Sequence, residues 1–429
     1  MMARIQRLFP AESWQRTLYA VIVAEGIALL GFGIAVPFLP FYIQELGVTR
    51  LEDVALWVGV ISSAPPIAAA LAAPIWGRLA DRYGRKRMLV RSLIGGGLVF
   101  CLIGTMVRTV PQLAILRTVQ KVFAGSVPAA MTLLATSVPR ERYGTALGLL
   151  QTVVFVGLSL GPFVGGVVGP LLGYSMTFLA SGIMVLLMAI LVGVVVKERF
   201  VPPDSHELRS NAPIGTIRLV LGDPVLVAMI GVLMLNNLAN AITQPVVPLF
   251  VQTLVPGTSE ASVASGLVLG ATAGAHAVGA LSIGRFGDRW GRQRSLVVCL
   301  VVAASFHLPQ MFVRDPGQLL WLRVVSGLAV GGLMSLSNAT IAERAPAGRQ
   351  GSIYGMTSSI RQLGQGLGPI VGTAIVTGLG LNRVFPATGV LLGVGAVLVY
   401  ASTRPTSGRR ARGEGSTTDG SSSRNDSGA

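Results

Sequence analysis

The sequence predicts an all-α integral membrane protein, with twelve transmembrane helices arranged as two pseudo-symmetric six-helix bundles. Three observations carry that expectation. The apolar residues fall into runs the length of a membrane-crossing helix, the basic residues crowd into alternate connections between those runs, and one set of landmarks is written twice. Hydrophobic residues make up 52% of the 429, charged residues 12%, and mean hydropathy is +0.67. A water-soluble core has no room for so much apolar surface. A helix needs ~20 apolar residues to cross ~30 Å of hydrocarbon, and lipid-buried backbone must satisfy its own hydrogen bonds. The runs lack the short alternation of barrel strands, so helices are expected.

In the first half the runs lie near 17–43, which holds Glu25 and closes around Pro37 and Pro40; 55–80 and 88–107, separated by a charged stretch; 112–137, with Arg117 and Lys121; 143–168, glycine-rich around Pro162; and 174–196, uniformly apolar. The second half offers 222–250, with Asn236 and Asn240; 262–284 and 295–313, again separated by a charged stretch; 317–341, with Arg323; 352–379, with Arg361; and 385–402. The chain therefore divides into an N-terminal arm, 1–16; a first bundle, 17–196; a polar, proline-containing linker, 197–221; a second bundle, 222–402; and a tail, 403–429. The tail is rich in Gly, Ser and Arg without apolar periodicity and reads as disordered.

The formal charge is +16, and its location decides its meaning. With the N-terminus placed inside, 26 of the 34 Lys and Arg residues fall on the inner side, while the outer connections hold only Arg50, Arg108, Arg314 and Arg383. This positive-inside asymmetry puts both termini in the cytoplasm, and no nucleic acid partner is expected. Arginine outnumbers lysine 31 to 3, a bias that suits a bacterium and its inner (plasma) membrane. Cys101 and Cys299 sit inside apolar runs, where buried thiols are expected rather than a disulfide.

The doubled landmarks keep nearly one spacing. GRLADRYGRKR at 77–87 returns as GRFGDRWGRQR at 284–294, and PFLPFYIQEL from Pro37 returns as PVVPLFVQTL from Pro245. Leu116-Arg117 matches Leu322-Arg323, and Gly148, Gly157, Gly161, Pro162 and Gly165 match Gly355, Gly364, Gly368, Pro369 and Gly372. Parallel repeats flanking a midplane site are the architecture of secondary transporters. A single-site enzyme or anchor gains nothing obvious from such duplication. HExxH and GxxxxGK[ST] are missing, against zinc-protease or ATP-driven chemistry.

Residues 77–87 resemble the loop 2–3 signature of the major facilitator superfamily. Gly148 to Gly166 fits G-x8-G-x3-G-P-x2-G-G in full and resembles the fifth-helix motif of its drug:proton antiporters; Leu30-Gly31, Pro37, Pro40 and Tyr42 resemble the first-helix motif of their twelve-span branch. The likeness runs over about residues 17–402. It implies the major facilitator fold and export of small amphiphilic drugs or metabolites in exchange for protons, by alternating access. It also implies no enzymatic activity, no metal, no cofactor beyond the proton gradient, and a monomer in the lipid bilayer.

In the charged stretch, Gly77 and Gly84 permit a tight turn and close approach, while Arg82, Arg85 and Lys86 hold the connection inside. The resemblance implies that Asp81 sits at the N-terminus of the eleventh helix, near Gly351-Ser352, where free N–H groups and the helix dipole favour an anion. Asp288 would do the same toward the fifth helix, with Gly284, Arg289, Gly291 and Arg292 repeating the turn. The competing reading is a topology signal alone. In the fifth span, Gly157, Gly161, Gly165 and Gly166 place small residues on one face for close helix packing, and Pro162 bends the span.

Ionisable residues within spans cost ~2.5–3.5 kcal/mol each on insertion scales, so each is a functional candidate. Glu25 is the only clear acid and the expected proton carrier. Arg117 matches the basic position of the family's fourth-helix motif, with Gln120 one turn on; Lys121 stands where that motif usually has glycine. Lys121 shares a face with Arg117 and a depth with Glu25, so a structural Glu25–Lys121 ion pair is the competing expectation. Asn236, Asn240 and Gln244 on the seventh span, Arg361, Gln362 and Gln365 on the eleventh, and Gln120, Gln151 and Phe155 are expected to line an aqueous cavity and meet substrate, with interhelical hydrogen bonding as the alternative. His276 and His307 read as packing residues. Arg117, Lys121, Arg323 and Arg361 against Glu25 leave the spans positive, which favours neutral, zwitterionic or anionic substrates. A nutrient symporter or facilitator is the second reading, and an intramembrane enzyme or scaffold the third.

Overall fold

A computed structural model describes residues 13–198, 213–346 and 350–403, and among them every regular element is helical. The N-terminal arm before residue 13, most of the linker and the tail from 404 lie outside the described residues. In the first half, α1 runs Ser13–Ala35, passes through a 3-10 turn at Val36–Phe38 and continues as Leu39–Glu45. Pro37 and Pro40 lack the N–H that an unbroken helix needs there. Next come α2 (Leu51–Tyr83), α3 (Arg85–Met106), α4 in two pieces (Val110–Val122 and Ser126–Ser137), α5 (Tyr143–Leu172) and α6 (Tyr174–Val195). A connecting helix, Pro213–Gly222, occupies the end of the linker, where the sequence alone suggests only polar coil.

The second half repeats the plan. α7 is Pro224–Thr243 and then, past Pro245, Val246–Gln252; α8 is Thr258–Trp290; α9 is Arg292–His307, extended by a 3-10 turn at Leu308–Phe312; α10, α11 and α12 are Pro316–Arg344, Gln350–Leu379 and Val384–Thr403. Ten of these twelve are long and apolar enough to cross a membrane by composition alone. The two that fall short are α4, which is broken, and α11, which carries a polar face. Both hold residues that a purely hydrophobic span would exclude.

The charged stretches form less loop than their composition suggests. α2 continues to Tyr83 and α3 starts at Arg85, so the turn is Gly84 alone, at φ +93°; Gly291, at φ +91°, joins α8 to α9 in the same way. Only glycine enters that region cheaply. Gly77 and Gly284 lie within helices. The apolar run fixes how much helix is in hydrocarbon, but flanking Arg and Lys extend the helix into the headgroup layer with their charges in water.

Apolar burial explains how the halves are joined. Among the described residues, one core cluster contains α1, α2, α3 and α6 residues such as Phe38, Ile61, Phe100 and Phe178 together with Phe250, Val268 and Phe385 of the second half. It lies toward the end opposite the basic turns. Near the basic turns each half has its own cluster, around Leu89, Leu133 and Val192 in the first and around Met229, Leu300 and Leu333 in the second. The seam is tight. A Cβ on Gly166 of α5 would fall 3.1 Å from Gly266 Cα of α8 across it, and within the first half one on Gly161 of α5 would fall 2.5 Å from Gly33 Cα of α1. Ser159 Oγ donates to the Gly270 carbonyl (2.9 Å), and Thr373 Oγ1 donates to the Ala55 carbonyl (3.1 Å). Between α2, α7 and α11 the remaining cavity is about 10 Å³, roughly one water's room at most.

At the far tip Gln44 and Gln252, matching positions of the repeat, exchange two amide hydrogen bonds of 2.8 and 3.0 Å. At the other end each half keeps its own core. A Cβ on Gly144, Gly148 or Gly355 would meet nothing within 4 Å. The result is a crevice between two bundles, closed at one end and open toward the basic turns. Cys101 and Cys299 are free thiols.

Candidate functional site

The fully buried carboxyl of Glu25 projects from α1 toward the break in α4. That break follows from the backbone: Gly125 sits at φ +123° between the two pieces, and the carbonyls left free are taken up by neighbours. Trp76 Nε1 of α2 donates to the Val122 carbonyl (2.6 Å), and Arg91 Nη2 of α3 reaches the Phe123 and Ala124 carbonyls (3.5 Å each). The second piece then begins at Ser126, whose hydroxyl donates to Glu25 Oε2 (3.2 Å). Glu25 Oε1 has no hydrogen-bond partner, and among the described residues no cation lies within 4 Å of this carboxyl. Burying an unpaired carboxylate is expensive, so this group must meet a proton or a cation to stay where it is.

Lys121 is half-buried and makes no ion pair among the described residues, so the Glu25–Lys121 pair is not formed in this state. Arg117 is buried inside the first bundle; its Nη1 donates to Gln120 Oε1 (2.9 Å), its guanidinium stands 5.8 Å from the Phe100 ring centre, and its Nε is unpartnered. Gln120, buried with it, faces Arg117 rather than open space. Ser126 and the α4 break are what sequence reasoning missed; Gly125 and Pro128 were the available signal.

The other lining candidates divide by exposure. Gln151, Gln244 and Gln365 are exposed, Phe155, Asn240, Arg361 and Gln362 half-buried, and Asn236 buried. Asn240 Nδ2 donates to the Asn236 carbonyl and Oδ1 (3.0 and 3.2 Å), so that pair is tied along α7. Arg361 makes no ion pair among the described residues and stands in the open half of α11. In the second bundle, buried Arg323 leaves Nε unpartnered, and His307 Nδ1 lies 2.7 Å from the Ala303 carbonyl.

The side chains of Asp81 and Asp288, and the surroundings of Gly77, lie outside the described residues, as do residues 347–349 before α11. What is described of the basic turns is a different carboxylate contact. Glu198, at the end of α6, accepts from the backbone N–H of Arg85 and of Lys86 (2.9 Å each), capping α3, and Lys86 Nζ donates to the Gly193 carbonyl (2.8 Å). Arg82 lies over Tyr83, and Arg289 is exposed. In the second half Arg292 pairs with Glu343 (2.7 Å) and Arg344 with Asp223 (3.1 Å). Asp223 also caps α7 through the N–H groups of Val225 and Leu226. Partial burial pushes its carboxyl up, but the bonds from Arg344 and from those amides win and hold it below its ordinary value.

On α5, Gly157, Gly161 and Gly165 pack on α1, Gly166 turns to α8, and Gly148 faces open space. Pro162 lies inside α5 between these contacts. The literal spacing G-x-S-x-G occurs at Gly157-Leu158-Ser159-Leu160-Gly161, but Ser159 is mid-helix and bonded to α8, so no nucleophile elbow exists.

The two halves repeat one six-helix plan, and a family model for the Major Facilitator Superfamily matches residues 21–303 and 256–424. The chain belongs to the major facilitator superfamily. It is 32% identical over 395 residues to the multidrug resistance protein MdtG of Escherichia fergusonii, covering 92% of this chain and 96% of that protein. The protein of the same name from Enterobacter lignolyticus is 31% identical over 396 residues, covering 92% and 94%. Among solved structures, a bacterial homologue of the human lysosomal transporter Spinster, inward-facing and unoccupied, superposes with a TM-score of 0.75 at 15% identity, covering 92% of this chain and 98% of that one. As a superfamily member with ten described helices long and apolar enough to cross a membrane, the chain is a multi-pass bacterial membrane protein.

Proposed function

We propose that this chain is a secondary active transporter that exports small amphiphilic organic molecules in exchange for protons. The observation that carries the reading is that the repeated bundles share one apolar core at one end and hold separate cores toward the basic turns, which leaves a crevice between them for exposed Gln151, Gln244 and Gln365 and half-buried Arg361 to line. Relatives named for multidrug resistance supply the direction and the breadth of substrate. The basic turns lie in the cytoplasm of a bacterium, with both termini on that side, by the positive-inside asymmetry. The crevice of this state therefore faces inward.

Transport then follows from geometry. Substrate enters the inward crevice and meets amides and Arg361; Glu25 is neutralised by a proton on one side of the membrane and releases it on the other as Ser126 and the α4 break shift. Asp81 and Asp288 latch the cytoplasmic end in the opposite state. No cofactor takes part beyond the proton gradient, and the unit is a monomer. Arg361 and Lys121, which make no ion pair among the described residues, favour neutral, zwitterionic or anionic substrates over cations.

The test is efflux from proteoliposomes of oriented protein with and without an imposed pH gradient, over a panel of matched anionic and cationic amphiphiles. Gradient-dependent export of the anionic members supports the reading. Accumulation with the gradient, in the same direction as protons, would assign a symporter instead.

A further inference from the structure

On the outer face of the first bundle, α3, α4 and the end of α6 enclose a groove of about 760 Å³ that transport through the central crevice does not use. Its wall is apolar: Val90, Ile94, Leu98 and Leu102 recur every four residues along α3, faced by Val119 and Phe123 of α4. Leu98 is 50% exposed and Ile94 41%, so this face is offered to the bilayer. Phe123 forms the floor because α3 has glycine opposite it; a Cβ on Gly95 would collide with the Phe123 ring.

The mouth of the groove, at the basic turns, is cationic. Lys86, Arg87 and Arg91 line it, and none makes an ion pair among the described residues. The neighbouring acid, Glu198, is occupied by the N–H groups of Arg85 and Lys86. Arg91 is held over Trp76, 3.5 Å from the ring centre, with Nη2 on the α4 carbonyls and with Nε and Nη1 buried and unpartnered. From Arg87 to Leu102 α3 rises ~22 Å at ~1.5 Å per residue. That exceeds half of a ~30 Å hydrocarbon core, so the groove runs from headgroup level to the bilayer centre.

We propose that this groove binds an anionic phospholipid of the leaflet beside the basic turns, its phosphate at Lys86, Arg87 and Arg91 and one acyl chain along α3. Juxtamembrane Lys and Arg attract anionic lipid, and arginine suits phosphate. Charge complementarity and an apolar channel one leaflet deep point to the same occupant. The site also has a route to function. Arg91 holds the Phe123 and Ala124 carbonyls at the α4 break, just before the Ser126 that touches Glu25, so a bound headgroup acts on the element beside the buried acid.

The experiment is native mass spectrometry of the full chain released from nanodiscs that hold phosphatidylglycerol and phosphatidylcholine of identical acyl chains. Wild type is expected to retain phosphatidylglycerol preferentially, and the Arg87→Gln/Arg91→Gln double variant to lose that preference about tenfold. Leu98→Trp, at an exposed wall position that does not threaten folding, is expected to lower retention by filling the groove while leaving the cations in place. Equal retention of both lipids by wild type, or unchanged preference in the double variant, overturns the proposal. So does displacement of the lipid by glycerol 3-phosphate, which would make the apolar wall irrelevant, or by a transported amphiphile, which would make the groove a substrate entrance.

Discussion

In the proposed mechanism coupling turns on Glu25, a fully buried acid whose one hydrogen-bond partner among the described residues is the Ser126 hydroxyl. Glu25→Gln keeps that hydrogen bond and removes the titrating group. Gradient-driven efflux in proteoliposomes should fall to the passive leak while substrate binding, measured by fluorescence, persists; full efflux in the variant would remove Glu25 from the mechanism. Asp223 tests a structural charge. Its carboxyl titrates lower in the folded protein than in the unfolded chain, so its contribution is complete at neutral pH and drains away as pH falls below ~4. Asp223→Asn should flatten the acid side of a thermal-stability profile, and Asp223→Ala should cost about 0.5–2 kcal/mol near neutral pH through the lost helix cap, and less as the wild-type carboxyl becomes protonated. Glu25 was legible in the sequence because a lone acid in an apolar run has no cheap explanation. Its partner was not, because Ser126 lies 101 residues away and serines within spans are common. Glu198 was invisible for a similar reason: it caps a helix more than 110 residues earlier through backbone N–H groups, which have no sequence signature.

At the scale of the element, α5 shows how one motif can serve two surfaces. Gly157, Gly161 and Gly165 admit α1, Gly166 admits α8, and Gly148 touches nothing in this state. Gly161→Leu should cost about 1–3 kcal/mol by forcing the α1 backbone away, read as a lowered melting temperature in detergent. Gly148→Ala should leave melting unchanged, since its Cβ enters open space. Equal effects of the two would refute the packing assignment. The spans themselves were legible from apolar length, and the breaks near Pro37 and Pro245 from proline. The α4 break was hidden because residues 112 to 137 have the length of a single span; what interrupts it is Gly125 together with side chains of α2 and α3 that stabilise the freed carbonyls. Likewise the basic turns looked like loops because charge was taken to end a helix, when it ends only the hydrocarbon-buried part.

For the whole molecule, the repeat gives the crevice its shape: one shared core at the end opposite the basic turns, two separate cores beside them. Alternation requires the shared core to open. Replacing Gln44 and Gln252 by cysteine, in a chain without Cys101 and Cys299, and joining them with a short bis-thiol linker should stop turnover while leaving binding from the basic side intact. Transport that continues after complete linkage would show that this end does not open. The duplicated architecture was legible in four landmarks of nearly constant spacing, whereas which end is closed depends on three-dimensional packing that no linear pattern records.

The Gln44–Gln252 clasp has a further consequence. Both partners are uncharged amides, and neither titrates, so a transmembrane voltage does no work on them and acidity cannot loosen them. An outer gate of this kind is deaf to the driving force. Energy from the ion gradient must therefore enter deeper in the protein and reach the tip mechanically, through the lean of one bundle on the other.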